Sequence, residues 1–283
     1  MTREEFLELA KKEIIILDGA TGSNLQKMGM PTGVSTELWA YEHPECIKKL
    51  QNDFIEAGSQ IIYAPTFGCN RISLAVHGLT DRLEELNREC VRLSKRISGG
   101  RAYVAGDIST TGKILDLDIS YEELVDVYKE QIQLLVDEGV DVLVAETLLS
   151  LNDAVAILDA AKSISDIAVL CSITVNANGL SLYGTNVVDA VKTLQEKGAA
   201  AVGVNCSVGP DQLENLIKNM KEVAQIPIIA KPNAGLPTFD DKGNAHYDMK
   251  AEEFAKSMKK LVDAGAGIVG GLLWNNPQNI LPV

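Results

Sequence analysis

Eight short runs of aliphatic and β-branched residues recur along the chain, at positions 14–17, 60–64, 102–105, 140–145, 167–173, 200–204, 228–230 and 267–269. Each is apolar nearly throughout rather than alternating, as expected for strands buried on both faces, which is the habit of parallel sheets. Amphipathic helical patterns lie between them. Over 121–138 the apolar positions Leu124, Val127, Tyr128, Leu134 and Leu135 share one face, and Ser120 stands three residues before Glu123 as a capping box. Thr2 and Glu5 offer the same signal for a leading helix over 3–12. Alternation of this kind predicts an α/β fold, and eight strands in 283 residues fit one closed (β/α)8 TIM barrel, a single domain over 1–283, better than an open doubly wound sheet. A dinucleotide-binding sheet would need its glycine fingerprint after the first strand, where the chain instead reads DGATG. The GxGxxG at 265–270 runs through a strand with no helix behind it and is a chance match. After the eighth run only LLWNNPQNILPV remains, with two prolines, so the barrel is expected to be C-terminally truncated and to lack its eighth helix.

Charge narrows the functions open to such a barrel. The formal net charge is −13, and no lysine–arginine cluster is long enough to follow a phosphate backbone, which excludes nucleic acid as a partner. The N-terminus is charged ahead of a very short apolar run and reads as neither signal peptide nor membrane span. Five cysteines without CxxC spacing point to a reducing, cytoplasmic setting.

Barrel chemistry collects where strands end and the following loops begin. Here those ends read Asp18-Gly19-Ala20-Thr21-Gly22, Thr66-Phe67-Gly68, Gly106-Asp107, Glu146-Thr147, Thr174 with Asn176, Asn205-Cys206-Ser207, and Lys231-Pro232-Asn233-Ala234-Gly235. Taken singly, Asp18 could cap a turn, Glu146 could pair with a neighbouring cation, and Cys206 could be a small buried hydrophobe. Together, two carboxylates, a thiol and two amides on one rim favour a site for a small polar molecule. None of His43, His77 and His246 falls at a strand end, so Cys206 has no base to activate it as a nucleophile. A thiolate metal ligand is the better functional reading of Cys206, although one cysteine cannot hold zinc alone.

The segments LDGATGSNLQKMG, APTFGCNR, AGDISTTG, AETLLS, VGVNCSVGP and KPNAGLP, in this order over nearly the whole chain, resemble the homocysteine S-methyltransferase family. The resemblance is strongest to the homocysteine-binding N-terminal half of its cobalamin-dependent methionine synthases. It implies a zinc ion at the rim that binds the homocysteine sulfur as thiolate. Three cysteines would hold it, one matched by Cys206 and two from an adjacent pair in GGCCGTTP after the eighth strand. Asn233 would be a labile fourth ligand. Asp18 and Glu146 would bind the substrate amino group, with Phe67 and Asn205 also at the substrate. The implied methyl donor is methylcobalamin, with S-methylmethionine and betaine as alternatives, and the implied partners are homocysteine and cobalamin- and folate-binding domains or proteins.

One departure stands out. Where GGCCGTTP is expected, the chain reads GGLLWNNP, so Leu272 and Leu273 remove two of the three zinc cysteines. Leucine has no lone pair to offer a metal. Cys-Cys-Gly-Thr-Thr-Pro can be encoded TGT TGT GGA ACA ACC CCN, and the same bases read one position earlier give TTG TTG TGG AAC AAC CCC, Leu-Leu-Trp-Asn-Asn-Pro. A single-base slip would therefore account for all six residues and for the truncation. The expectation is a family barrel that holds zinc poorly and is inactive as it stands. The alternative is a zinc-free, altered or non-enzymatic barrel that binds a small amino acid.

Overall fold

The computed structural model describes residues 1–235 and 249–271, together with the backbone of two short antiparallel strands, Thr238–Phe239 and Ala245–His246. Eight parallel strands form the barrel wall: β1 (Ile15–Ile16), β2 (Ile61–Tyr63), β3 (Tyr103–Ile108), β4 (Val142–Leu148), β5 (Val169–Ile173), β6 (Ala201–Asn205), β7 (Ile228–Lys231) and β8 (Ala266–Val269). Each coincides with one of the eight apolar runs. The short antiparallel pair between β7 and the helix Ala251–Asp263 had no counterpart in the sequence reading. No helix among the described residues is long and apolar enough to cross a membrane. The expected loss of the eighth helix, and Leu272 and Leu273 themselves, lie outside the described residues.

Two-residue periodicity sorts the strand residues into two cores. Ile62, Leu143, Ala145, Cys171, Val202, Val204 and Ala230 face outward and pack with the surrounding helices. Leu17, Ile61, Val142, Val144, Leu170, Ile229 and Ile268 fill the barrel interior. Gly203 on β6 is required by close approach, because a Cβ there would lie 2.0 Å from the Ile229 carbonyl oxygen.

The leading helix, Arg3–Ala10, closes the N-terminal mouth of the barrel. Its capping box is complete, with Thr2 accepting from the Glu5 N–H and Glu5 accepting from the Thr2 N–H. Phe6 is 0 % exposed and belongs to the interior cluster. The segment is also sewn down by backbone: the Arg3 N–H donates to the Asp166 carbonyl (3.2 Å), and the Ala168 N–H to the Met1 carbonyl (3.0 Å). At Ser120 only half of the expected box forms, the hydroxyl accepting from the Glu123 N–H.

The ring closes between β1 and β2 through one parallel bridge, Leu17 to Ile61. Side chains complete this seam. The Gln60 side-chain oxygen accepts from the Ile16 N–H (2.9 Å), and Asp18 Oδ2 accepts from the Tyr63 N–H (2.8 Å). Strand donors buried here would otherwise lack acceptors, a loss of about 1–3 kcal/mol each.

Candidate functional site

The interior strand positions turn polar one step above the apolar layers. Following Ala105 on β3 comes Asp107, following Val144 on β4 comes Glu146, and following Ile229 on β7 comes Lys231. Asp107 and Glu146 therefore lie within strands rather than in loops. With Tyr63, Cys206 and Lys231 they line a cavity of about 250 Å³ at the C-terminal mouth, and Asp18 is buried against Lys231 beside it. Thr147, Phe67, Glu37 and the turn 19–23 complete its lining.

Lys231 is the centre of the cavity floor, although sequence reasoning named it only as a strand end. It is 1 % exposed, and its Nζ lies 3.0 Å from Glu146 Oε2, 3.5 Å from Asp18 Oδ1 and 3.8 Å from the centroid of the Tyr63 ring. Burial pulls its pKa down, but Glu146, Asp18 and Asp107 together outweigh burial and hold it above the ordinary lysine range. Burial also raises Asp18, to about 6, against the opposing pull of Lys231 and the Tyr63 N–H. Asp107 is pushed well above the carboxylate range by burial and by Glu146, and its Oδ1 has no hydrogen-bond partner among the described residues.

Two left-handed residues shape the rim. Thr147 (φ 58°) and Cys206 (φ 48°) are non-glycine residues at positive φ, which costs backbone energy unless neighbours hold it. Asn205 supplies that hold for Thr147: its Oδ1 accepts from the Thr147 N–H (2.9 Å) and its Nδ2 donates to the Thr147 hydroxyl (2.8 Å). The pairing of β4 with β5 shifts register between Ala145 and Leu148. This bulge lets both Glu146 and Thr147 face the cavity while Leu148 returns to the outer core.

The structure thus brings Glu146, Phe67 and Cys206 to one cavity, with Asp18 beside it on Lys231. Phe67 stands at the mouth, 38 % exposed. Asn205 is wholly buried beside the site, with its amide spent on Thr147 rather than turned to the cavity. Asn233 is bonded to the turn that follows Cys206, its N–H donating to the Val208 carbonyl (3.3 Å). Its Nδ2 donates to the Ser207 carbonyl (3.1 Å), and its buried Oδ1 is without a partner among the described residues. Tyr63, Asp107, Thr147 and Glu37 join the site without having been assigned a role from sequence.

The Cys206 thiol is raised to about 11, first by burial and then by the charge of Glu146. A thiol in that state is protonated at neutral pH. Its alkylation by iodoacetamide is expected to be roughly tenfold or more slower than that of a free thiol at pH 8. The rate should keep climbing through pH 10, where an ordinary thiol has levelled off. Peptide mass spectrometry across a pH series reads this out, and a plateau near pH 8–9 would contradict it.

Comparison with known proteins adds the following. The sequence model of the family "Homocysteine S-methyltransferase" matches residues 15–280. Methionine synthase of Mycobacterium tuberculosis is 26 % identical over 300 residues, covering 99 % of this chain and 25 % of the relative, and methionine synthase of Mycobacterium leprae matches to the same extent. The chain therefore spans about a quarter of the length of these relatives. Among solved structures, the homocysteine methyltransferase MmuM from Escherichia coli superimposes with a TM-score of 0.80 at 20 % identity, in both its oxidized and metallated forms, over 96–97 % of this chain and 96 % of the other. The carboxyl transferase domain of Rhizobium etli pyruvate carboxylase shares the architecture more distantly, with a TM-score of 0.56 at 15 % identity over 96 % of this chain and 42 % of the other. These structural likenesses bear on the fold.

Proposed function

The chain belongs to the homocysteine S-methyltransferase family, a family of methyltransferase enzymes, and on that footing we propose that its rim cavity is a homocysteine site. The observation that carries this reading is the meeting of Glu146 and Cys206 on one cavity of amino-acid size, with Asp18 joined to its floor through Lys231. Homocysteine would enter with its sulfur toward Cys206 and its amino end toward the acidic floor, beneath Phe67. Asn205 would act indirectly, by holding Thr147 and with it the bulge that aims Glu146. In the parent enzyme a further domain would carry methylcobalamin as donor, with folate-binding domains or proteins alongside. This extends to the chain what its methionine synthase relatives suggest.

Zinc does not fit the described residues of the rim. Cys206 and the orphaned Asn233 Oδ1 are two candidate donors, whereas a zinc site of this kind needs three protein ligands and an open position. Among the described residues no group of three or more His, Cys, Asp or Glu side chains could hold a metal ion, and Leu272 and Leu273 supply no donor atom. No methyl-transfer step is therefore derived through the metal. The chain's own residues can bind and orient a thiol amino acid, and the protonated Cys206 leaves the ligand's sulfur unactivated. This donor set also favours a second reading, a zinc-free barrel that binds a small amino acid without methyl transfer.

Protein purified without chelators is expected to carry well below one zinc per chain by elemental analysis. Calorimetry should then show homocysteine and methionine binding weakly and alike, because without a metal a thiol offers little more than a thioether. Tight equimolar zinc, or a strong preference for homocysteine, would overturn the zinc-free state. Absence of binding by both ligands would overturn the substrate assignment.

A further inference from the structure

An ammonium group in a protein is best held by two carboxylates and an aromatic face. The floor of the cavity has that set, formed by Glu146, Asp18 and the ring of Tyr63, and Lys231 Nζ stands within it at 3.0, 3.5 and 3.8 Å. The lysine stem is accommodated as well. It passes over Gly270, where a Cβ would lie 3.3 Å from Lys231 Cγ and 2.9 Å from Leu17 Cβ. Lys231 also lines the cavity, so the position it fills is reachable from the mouth.

We propose that Lys231 is a specificity-determining residue, an internal ammonium that fills the amino-group position of the cavity. This inference rests on the reading that Asp18 and Glu146 face the substrate's amino end. With Lys231 in place, both carboxylates are already paired and the Tyr63 face is covered. A ligand's own amino group then finds that position occupied. The lining carboxyl with an oxygen unpartnered among the described residues, Asp107, is pushed well above the carboxylate range by burial and Glu146 and offers it little charge, so the amino group adds little to affinity. The cavity selects for the sulfur-bearing chain and accepts it with or without the amino group. Removing the lysine side chain leaves a vacancy shaped for an alkylammonium ion and restores discrimination in favour of amino acids.

The test uses the whole chain, wild type and Lys231→Ala. The atoms removed beyond Cβ correspond to propylammonium, so that ion is the probe and 1-propanol its neutral control. Propylammonium is expected to raise the melting temperature of Lys231→Ala saturably, by about 3–6 °C at ten times its Kd, with little effect from propanol and none on the wild type. Should Lys231→Ala not fold alone, refolding in propylammonium against propanol gives the same comparison, with recovery expected in the amine only. A merely structural ion pair would also be rescued, so selectivity is read separately with homocysteine and 4-mercaptobutanoate, its analogue without the amino group. The wild type should bind the two within threefold of each other, and Lys231→Ala should favour homocysteine by tenfold or more. Equal response to amine and alcohol, or a wild-type preference for homocysteine above tenfold, overturns the proposal. If neither thiol acid binds either protein while propylammonium still rescues, the homocysteine reading fails and the ammonium position stands.

Discussion

Replacing Leu272 and Leu273 together by cysteine is expected to turn a chain that holds well under one zinc into one that holds about one per molecule. The reason is the donor count. Cys206 sits on the rim just after β6, and the Asn233 amide oxygen is buried without a partner among the described residues. The described backbone runs as far as Gly271 beside the same rim, where the Gly270 N–H donates to the Ala230 carbonyl (3.1 Å) and the Gly271 N–H to the Asp18 carbonyl (3.3 Å). Two thiols directly after Gly271 in the sequence would bring the cysteines of the family pattern from one to three. Structural zinc in zinc-finger peptides is bound with apparent free energies of about 10–16 kcal/mol, a scale on which the change is a gain of function rather than a modest shift. Elemental analysis and a chromogenic chelator competition measure it. A double variant that still purifies without zinc would show that Cys206 is not aimed at the position the pattern implies. The slip idea has its own check: sequencing the gene should show that removing one base before codon 272 opens a frame reading GGCCGTTP, and a frame that stays closed there ends that explanation.

Phe6→Ala is the second large effect, and it falls on folding rather than on the site. Phe6 is the side chain by which the leading helix enters the barrel interior beside Ile15 and Leu17. Truncating a buried phenylalanine costs about 3–5 kcal/mol, because the lost transfer energy is joined by the cavity left behind. That is a large share of the roughly 5–15 kcal/mol by which most domains are stable. The helix cannot follow the shortened side chain inward, since Met1 and Arg3 are tied to Ala168 and Asp166 through backbone hydrogen bonds. The denaturation midpoint should drop accordingly, with the native spectrum retained below it. A loss under about 1 kcal/mol would mean that the mouth of the barrel collapses around the gap and that Phe6 is not its plug.

The eight strands were readable from sequence because strands buried on both faces leave unbroken apolar runs, and no other local pattern in the chain competes with them. The acidic residues were readable for a related reason. Asp18, Glu146 and Asp107 each interrupt or end such a run, and a charge in that position needs a function or a partner. What sequence could not give was the identity of the partner. Lys231 is 85 residues from Glu146, and the pairing becomes visible only once parity along β7 places Ile229 and Lys231 on the same inner face. Asn205 shows the opposite difficulty. Its motif suggested contact with substrate, yet its amide is committed to Thr147, a residue 58 positions away on a strand that is not its neighbour in the sheet. The positive φ of Thr147 and Cys206 has no local sequence signal either, since neither is a glycine or an asparagine. Leu272 and Leu273 were noticeable only against the family pattern, because two leucines after an apolar strand are unremarkable in themselves.

Asp18 serves two employers. It belongs to the acidic floor through Lys231, and it closes the barrel by accepting the Tyr63 N–H at the seam between β1 and β2. Selection acting on folding alone would therefore retain this carboxylate, whatever became of the chemistry above it. A descendant that had stopped transferring methyl groups could lose metal-binding thiols and still keep its aspartate. In this fold a surviving acid at the end of the first strand records the need to close a ring, and the thiols record whether the ring is still used.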